Sequence, residues 1–181
     1  MNRDHITSKK TITRRFLSIN NLEPTTPKRE YGTMNITYTQ IKNDKGTDVL
    51  FTRDQIADFL YEHLDEYGDQ KSAILKCIGY AYGDNPGQGG FVQLAHEGDE
   101  ILGVVIINDT NMGEYIPEHI LVYIAVHEKT RGKGVGKQLM EHVIKATKGD
   151  IALHVEPDNP AKFLYEKFGF TNKYLEMRLK K

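Results

Sequence analysis

A single cysteine, Cys77, is all that the 181 residues hold. No internal disulfide can form, and this usage suits a reducing compartment, so a cytoplasmic protein is expected. Long apolar runs are also missing. No stretch approaches the length of a membrane span, and no secretory h-region is legible. Net charge is scarce, at −1 overall, so nothing in the composition demands a nucleic acid or a membrane as partner. Metal signatures fail as well. His96-Glu97 and His127-Glu128 lack the H-E-x-x-H spacing, and His154-Val155-Glu156 comes without the P-C-x-x-C of zinc deaminases. What is present is ordinary for a globule: 39% hydrophobic and 27% charged residues, in a chain long enough for one domain with a real core.

The charge is unevenly placed. Residues 1–33 hold seven Lys/Arg against three acids, a balance of +4 that leaves −5 for the rest. This stretch is polar and rich in Ser, Thr and Asn, and we read it as a flexible extension preceding a domain over 34–181. An organellar transit segment is a rival reading, weakened by the acids and by poor amphipathic patterning. A short helix around Thr11–Ile19 is compatible with the sequence.

Periodicity predicts the remaining elements. Ile36–Ile41 alternates as a strand. Thr52-Arg53-Asp54-Gln55 is a capping box opening a helix with Ile56, Phe59, Leu60 and Leu64 inward. Asp69 is placed to cap a second helix that buries Ile74, Cys77, Ile78 and Ala81. Phe91–His96 and Ile101–Asn108 form a hairpin across Glu97-Gly98-Asp99-Glu100. An apolar strand, Ile120–Val126, leads into a helix beginning near Val135 with Leu139, Met140 and Val143 inward. Ile151–Val155 is a strand, Asn159 caps a short helix with Pro160 at its first position, and Tyr174–Leu179 alternates as a last strand. The order β α α β β β α β α β gives an α/β (α+β) domain: one mixed, mostly antiparallel sheet with helices on both faces.

The most informative run is Arg131-Gly132-Lys133-Gly134-Val135-Gly136, between the apolar strand and the third long helix. Glycines on alternate positions uncover a row of backbone N–H groups at a helix entrance. Those amides have no internal partner and carry the positive end of the helix dipole, which makes the turn an anion site suited to phosphate. Arg131, Lys133 and Lys137 add charge. A P-loop is excluded: Gly132 to Gly136 is one residue short, and Lys137 is followed by Gln138, which has no hydroxyl for magnesium. A Rossmann turn fits poorly, because the third glycine comes one residue early and five residues, His127 to Arg131, separate the strand from the first glycine, although Glu156 lies at a tempting distance.

The pattern that does fit is R-x-x-G-x-G. It resembles the coenzyme A turn of the GNAT superfamily of N-acyltransferases. Downstream, Asn159, Ala161 and Tyr165, closing on Gly169-Phe170, resemble that family's second signature, in the same order. The resemblance implies the GNAT fold, with central parallel strands Ile120–Val126 and Ile151–Val155 splayed apart. It implies acetyl-CoA as co-substrate, its pyrophosphate on the amides of Gly132, Lys133, Gly134, Val135, Gly136 and Lys137 with Arg131 beside them. Its pantetheine arm would lie along Ile124, Ala125 and Val126, with the backbone of Ile124 and Val126 accepting and donating, and Asn159 would reach the same arm. Tyr165 would stand beside the sulfur and supply a proton to the departing thiolate. For the base we single out Glu118, among Glu114, His119 and Tyr123 on or before the central strand; His127 looks structural. The expected reaction is direct transfer of an acetyl group to a primary amine. The acceptor is a small molecule or a protein amine, and the acidic core favours a cationic one. Two other functions stay open: a non-catalytic CoA-binding module and a dinucleotide-dependent oxidoreductase. A homodimer is also compatible.

Overall fold

The computed structural model describes residues 34–45 and 49–181. The extension over 1–33 and the Thr11–Ile19 segment lie outside the described residues. The elements are β1 (Thr37–Ile41), α1 (Arg53–His63), α2 (Lys71–Ala81), β2 (Gly90–Glu97), β3 (Glu100–Asp109), β4 (His119–Val126), α3 (Val135–Ala146), β5 (Ile151–Leu153) and α4 (Lys162–Lys167). Short 3₁₀ turns occupy Asp65–Tyr67 and Glu128–Thr130. One sheet runs in the order β1-β2-β3-β4-β5, antiparallel except for the parallel pair β4–β5.

Alternation along the strands gives the sheet two apolar faces, and each is covered by helices. Val92, Leu94, Val104, Ile106, Tyr123 and Ala125 pack with Ile56, Leu60, Ile74 and Ile78 of α1 and α2. Phe91, Val105, Ile107 and Leu121 pack with Val135, Leu139, Met140 and Val143 of α3 and with Tyr165 of α4. The α1 entrance is the capping box expected: Gln55 N donates to Thr52 Oγ1 and Thr52 N donates to Gln55 Oε1.

Three expectations are corrected. Asp69 does not cap α2; Gln70 holds that position without a side-chain bond, and the Asp69 carboxylate instead accepts from the Tyr123 hydroxyl at 2.6 Å. The helix expected from Pro160 begins at Lys162; Asn159 Oδ1 accepts from Ala161 N at 2.8 Å and closes a turn before it. Tyr174–Leu179 forms no strand, and Leu175, Met177 and Leu179 are exposed. Alternation defines the two faces of a strand but supplies no edge to pair with. Here the segment meets the region after β5 through a side-chain contact, His154 Nε2 to Glu176 Oε2 at 3.9 Å.

Candidate active site

The site is built on one irregularity in β4. Its register with β3 runs Gly103↔Val126, Val104↔Ala125, Val105↔Ile124 and Ile106↔Tyr123, then jumps to Ile107↔Leu121. Val122 is therefore an extra residue, a β-bulge that bends the strand and shifts its phase. On the far side, β5 pairs with β4 only at His119↔Ile151, Ile120↔Ala152 and Leu121↔Leu153. Pairing stops where the bulge begins. Val122–Val126 then runs on without a β5 neighbour, which is the splay that the family resemblance implies.

The register also fixes which backbone groups face the gap. His127 N donates to Leu102 O at 2.9 Å, so 102/127 is a hydrogen-bonded pair of the β3–β4 ladder. Such pairs recur at every second position in an antiparallel ladder, so Ala125 and Tyr123 turn their backbone groups to β3. Ile124 and Val126 turn theirs toward the gap. Ala125, grouped with them from the sequence, presents no backbone donor or acceptor there, and its side chain is buried under α1 and α2. Unpaired amide groups in a partly buried strand are costly unless a ligand meets them.

The glycine turn follows directly. Thr130 is buried, with Oγ1 donating to His127 O at 2.8 Å, and this anchors the loop to the end of β4. Arg131 N donates to Glu128 O and Lys133 N to Thr130 O, both at 3.1 Å. The Lys133 amide is thus engaged within the loop. Gly132 and Gly134 have φ of +75° and +84°, a region that side chains with a Cβ rarely adopt. Gly134 is the N-cap of α3 and offers no side-chain cap, and the first intrahelical bond is Gln138 N to Gly134 O at 3.0 Å. The amides of Val135, Gly136 and Lys137 precede that bond. A Cβ placed on Gly132 or Gly134 would meet nothing within 4 Å, so the turn opens onto clear space. The Lys137 ammonium points to Glu141 Oε1 at 3.3 Å, along the helix rather than across the turn.

Tertiary packing brings the second signature to this turn. Leu164 Cδ2 lies 3.7 Å from where a Cβ on Gly136 would sit, so α4 rests on the first turn of α3. Tyr165, 6% exposed, packs in the same cluster with its ring 5.9 Å from that of Phe170. Burial pushes its phenol up to about 12, so it stays protonated near neutral pH and is available as a hydrogen-bond donor.

The residues proposed for base chemistry separate. His119 has both ring nitrogens occupied, by Asp109 Oδ1 at 2.8 Å and Lys148 O at 2.9 Å. His127 Nδ1 receives Lys129 N at 3.1 Å, a structural role as expected. Glu114 is exposed in a left-handed turn with φ +80°. Glu118 Oε2 accepts from Asp150 N at 2.7 Å, tying the start of β4 to the start of β5 at the paired end of the strands. That backbone bond holds its carboxyl below the usual range. Tyr123 is the remaining member, and it faces Asp69, a partner that helix-cap reasoning had assigned elsewhere. The missed signal was one of three acids in the α1–α2 connector, which sequence spacing cannot pair with a strand 54 residues away. Among the described residues no group of His, Cys, Asp and Glu is arranged to hold a metal ion.

Comparison with known proteins agrees with this geometry. The family description Acetyltransferase (GNAT) domain matches residues 88–172, the span that holds β3, β4, the glycine turn and α4. A 5-NmdU N-acetyltransferase of Pseudomonas phage PaMx11 is 32% identical over 84 residues, covering 45% of this chain. The cysteine-rich protein 2-binding protein of Mus musculus is 38% identical over 60 residues, covering 32% of this chain. The chain spans only part of both, 58% of the phage protein and 8% of the mouse protein. Among solved structures, a chain of the NatC complex bound to Gag peptide and CoA superposes with a TM-score of 0.57 at 19% identity, covering 76% of this chain and 86% of that one. A bulged β4 parting from β5, a glycine turn at its exit and a matching family description lead to one conclusion: residues 88–172 match a GNAT acetyltransferase domain.

Proposed function

We propose that the protein transfers an acetyl group from acetyl-CoA to a primary amine by direct attack, in a reducing, cytoplasmic setting. One observation carries this reading. An open glycine turn at the N-terminus of α3 stands at the mouth of the β4–β5 gap, with the phenol-bearing α4 packed against it. The residues fit the co-substrate. The amides of Gly132, Gly134, Val135, Gly136 and Lys137 would hold the pyrophosphate, where the helix dipole and the Arg131 side chain favour anionic groups. Side-chain charge at an exposed helix start contributes only about 0.3–1 kcal/mol, so the amides dominate. The outward backbone of Ile124 and Val126 would pair with the amides of the pantetheine arm as an added strand does. Bound acetyl-CoA supplies an activated acyl thioester.

The chain's own residues then divide the work. Tyr165 donates a hydrogen bond to the leaving sulfur and returns a proton to it. Asn159 uses its oxygen on Ala161 N, which leaves its amide nitrogen to reach the arm. Glu118 serves as a strap between strands, and the base is sought elsewhere. The −5 balance of the domain suits a cationic acceptor such as a polyamine, an aminoglycoside or a protein amine. The test combines two measurements. CoA raises the melting temperature while NAD does not, and acetyl-CoA with an amine panel releases free thiol. Stabilisation by NAD alone would return the reading to an oxidoreductase; stabilisation by CoA with no thiol release from any amine would make the protein a CoA sensor.

A further inference from the structure

The two faces of the splayed strands are not equivalent. The glycine turn, Tyr165 and the buried side of α3 and α4 all lie on one face, with the side chains of Ile124 and Val126. That face serves the phosphates and the leaving sulfur. On the opposite face, under α1 and α2, the side chains of Tyr123 and Ala125 project. Tyr123 stands just past the bulge, on the stretch of β4 without a β5 neighbour, and is 8% exposed. Its hydroxyl donates to Asp69 Oδ2 at 2.6 Å. Asp69 is itself exposed, in the connector between Tyr67 and α2. A buried phenol on the open strand is therefore joined to a carboxylate that reaches solvent. Cys77 of α2 and Arg178 of the C-terminal segment also interact electrostatically with Asp69. Burial holds the Cys77 thiol up to about 12, so it stays neutral.

We infer that Asp69 receives the proton of the acceptor's ammonium, with Tyr123 holding the carboxylate at the mouth of the gap. The inference rests on the acetyl-transfer reading above. The step balances as follows. Asp69 takes one proton from the ammonium and passes it to water. The amine nitrogen forms the bond to the acetyl carbon as the carbon–sulfur bond breaks. Tyr165 gives its proton to the thiolate, and the second nitrogen proton, released as the amide forms, restores the phenol. Positioned general bases contribute about 10²–10⁴-fold, and a primary amine near pKa ~10 needs one at neutral pH.

The experiment uses the full chain, acetyl-CoA and two probe acceptors: spermidine, an ammonium at neutral pH, and hydroxylamine, already neutral there. Asp69→Asn keeps the shape and an acceptor for the Tyr123 hydroxyl. We expect it to keep the CoA-induced rise in melting temperature and to lose about 100-fold in kcat with spermidine, while losing only a few-fold with hydroxylamine. Tyr123→Phe, which leaves the carboxylate but not its anchor, should lose less, about 10-fold with spermidine. Wild-type kcat for Asp69→Asn overturns the inference. So does an equal loss with both amines, which marks a structural tie, and so does a rise in KM with unchanged kcat, which marks binding only. Failure of the wild-type chain to acetylate spermidine counts against it as well. Absence of CoA-induced stabilisation in the wild-type chain overturns the acetyl-transfer reading itself.

Discussion

The two ends of β4 differ in how their polar groups are met. At the His119 end, β5 lies alongside, Thr110 N bonds Glu118 O, the Glu118 carboxylate takes the Asp150 amide, and both nitrogens of His119 are engaged. At the Val126 end the neighbouring strand is gone, the backbone of Ile124 and Val126 faces a gap, and the following turn presents helix-start amides to open space. The sequence character of the two ends is nearly the same, apolar and β-branched. Polar satisfaction separates them: the closed end is a joint, and the open end leaves backbone groups facing a gap.

Variants can break this contrast, and the largest effect belongs to the open end. Gly134→Glu introduces a carboxylate where phosphate is expected, at a φ of +84° that only glycine adopts freely. CoA affinity by calorimetry should fall by about 100-fold or more, equivalent to about 2.7 kcal/mol or above. Unchanged affinity would remove the turn from the binding site. Next, Tyr165→Phe should lower kcat by about 100-fold while CoA affinity moves little, since the hydroxyl acts on the leaving sulfur rather than on the phosphates. Parallel loss of both would mean that Tyr165 only packs α4 against α3.

At the closed end the consequences fall on stability. Glu118→Gln should lower the melting temperature slightly and leave the CoA-induced shift as it was. The Glu118 carboxyl is depressed by the Asp150 amide, so its contribution is present above the ordinary carboxylate range and is lost as pH falls through the lowered value. Melting temperatures measured down to acid pH should therefore converge for wild type and Glu118→Gln; a constant difference would refute the linkage. The smallest effect should come from Gly136→Ala. A Cβ there meets Leu164 and Val126 at 3.7 Å, ordinary contact, and a change within about 0.5 kcal/mol is expected by denaturant melting. Gly134→Ala, by contrast, should cost about 1–2 kcal/mol through its left-handed conformation.

Much of this was legible along the chain because its causes are local. The capping box at Thr52, the hairpin at Gly98, the helix behind Val135 and the glycine spacing of the turn each depend on neighbours within a few residues. The signature at Asn159 and Tyr165 was readable as a pattern, but its purpose depends on Leu164 meeting Gly136, which no spacing encodes. Glu118 and Asp69 were each read from position alone, as a base near the acceptor entrance and as a helix cap. Each reading changed once partners were visible, because a carboxylate's chemistry is set by what donates to it. The last strand failed for a related reason: Tyr174–Leu179 carries the right alternation but joins no strand of the sheet.

Residue order by itself determined most of the helices and strands, which faces are apolar, and that one helix would start on bare amides. Those follow from covalent geometry, side-chain shape and hydrogen bonds a few residues long. Only the tertiary structure decided that Val122 is an extra residue, that β5 stops at Leu153, and that Tyr123 meets Asp69. Register and partner choice are settled between distant segments, where the free energy depends on which polar groups find one another and which are left facing a gap.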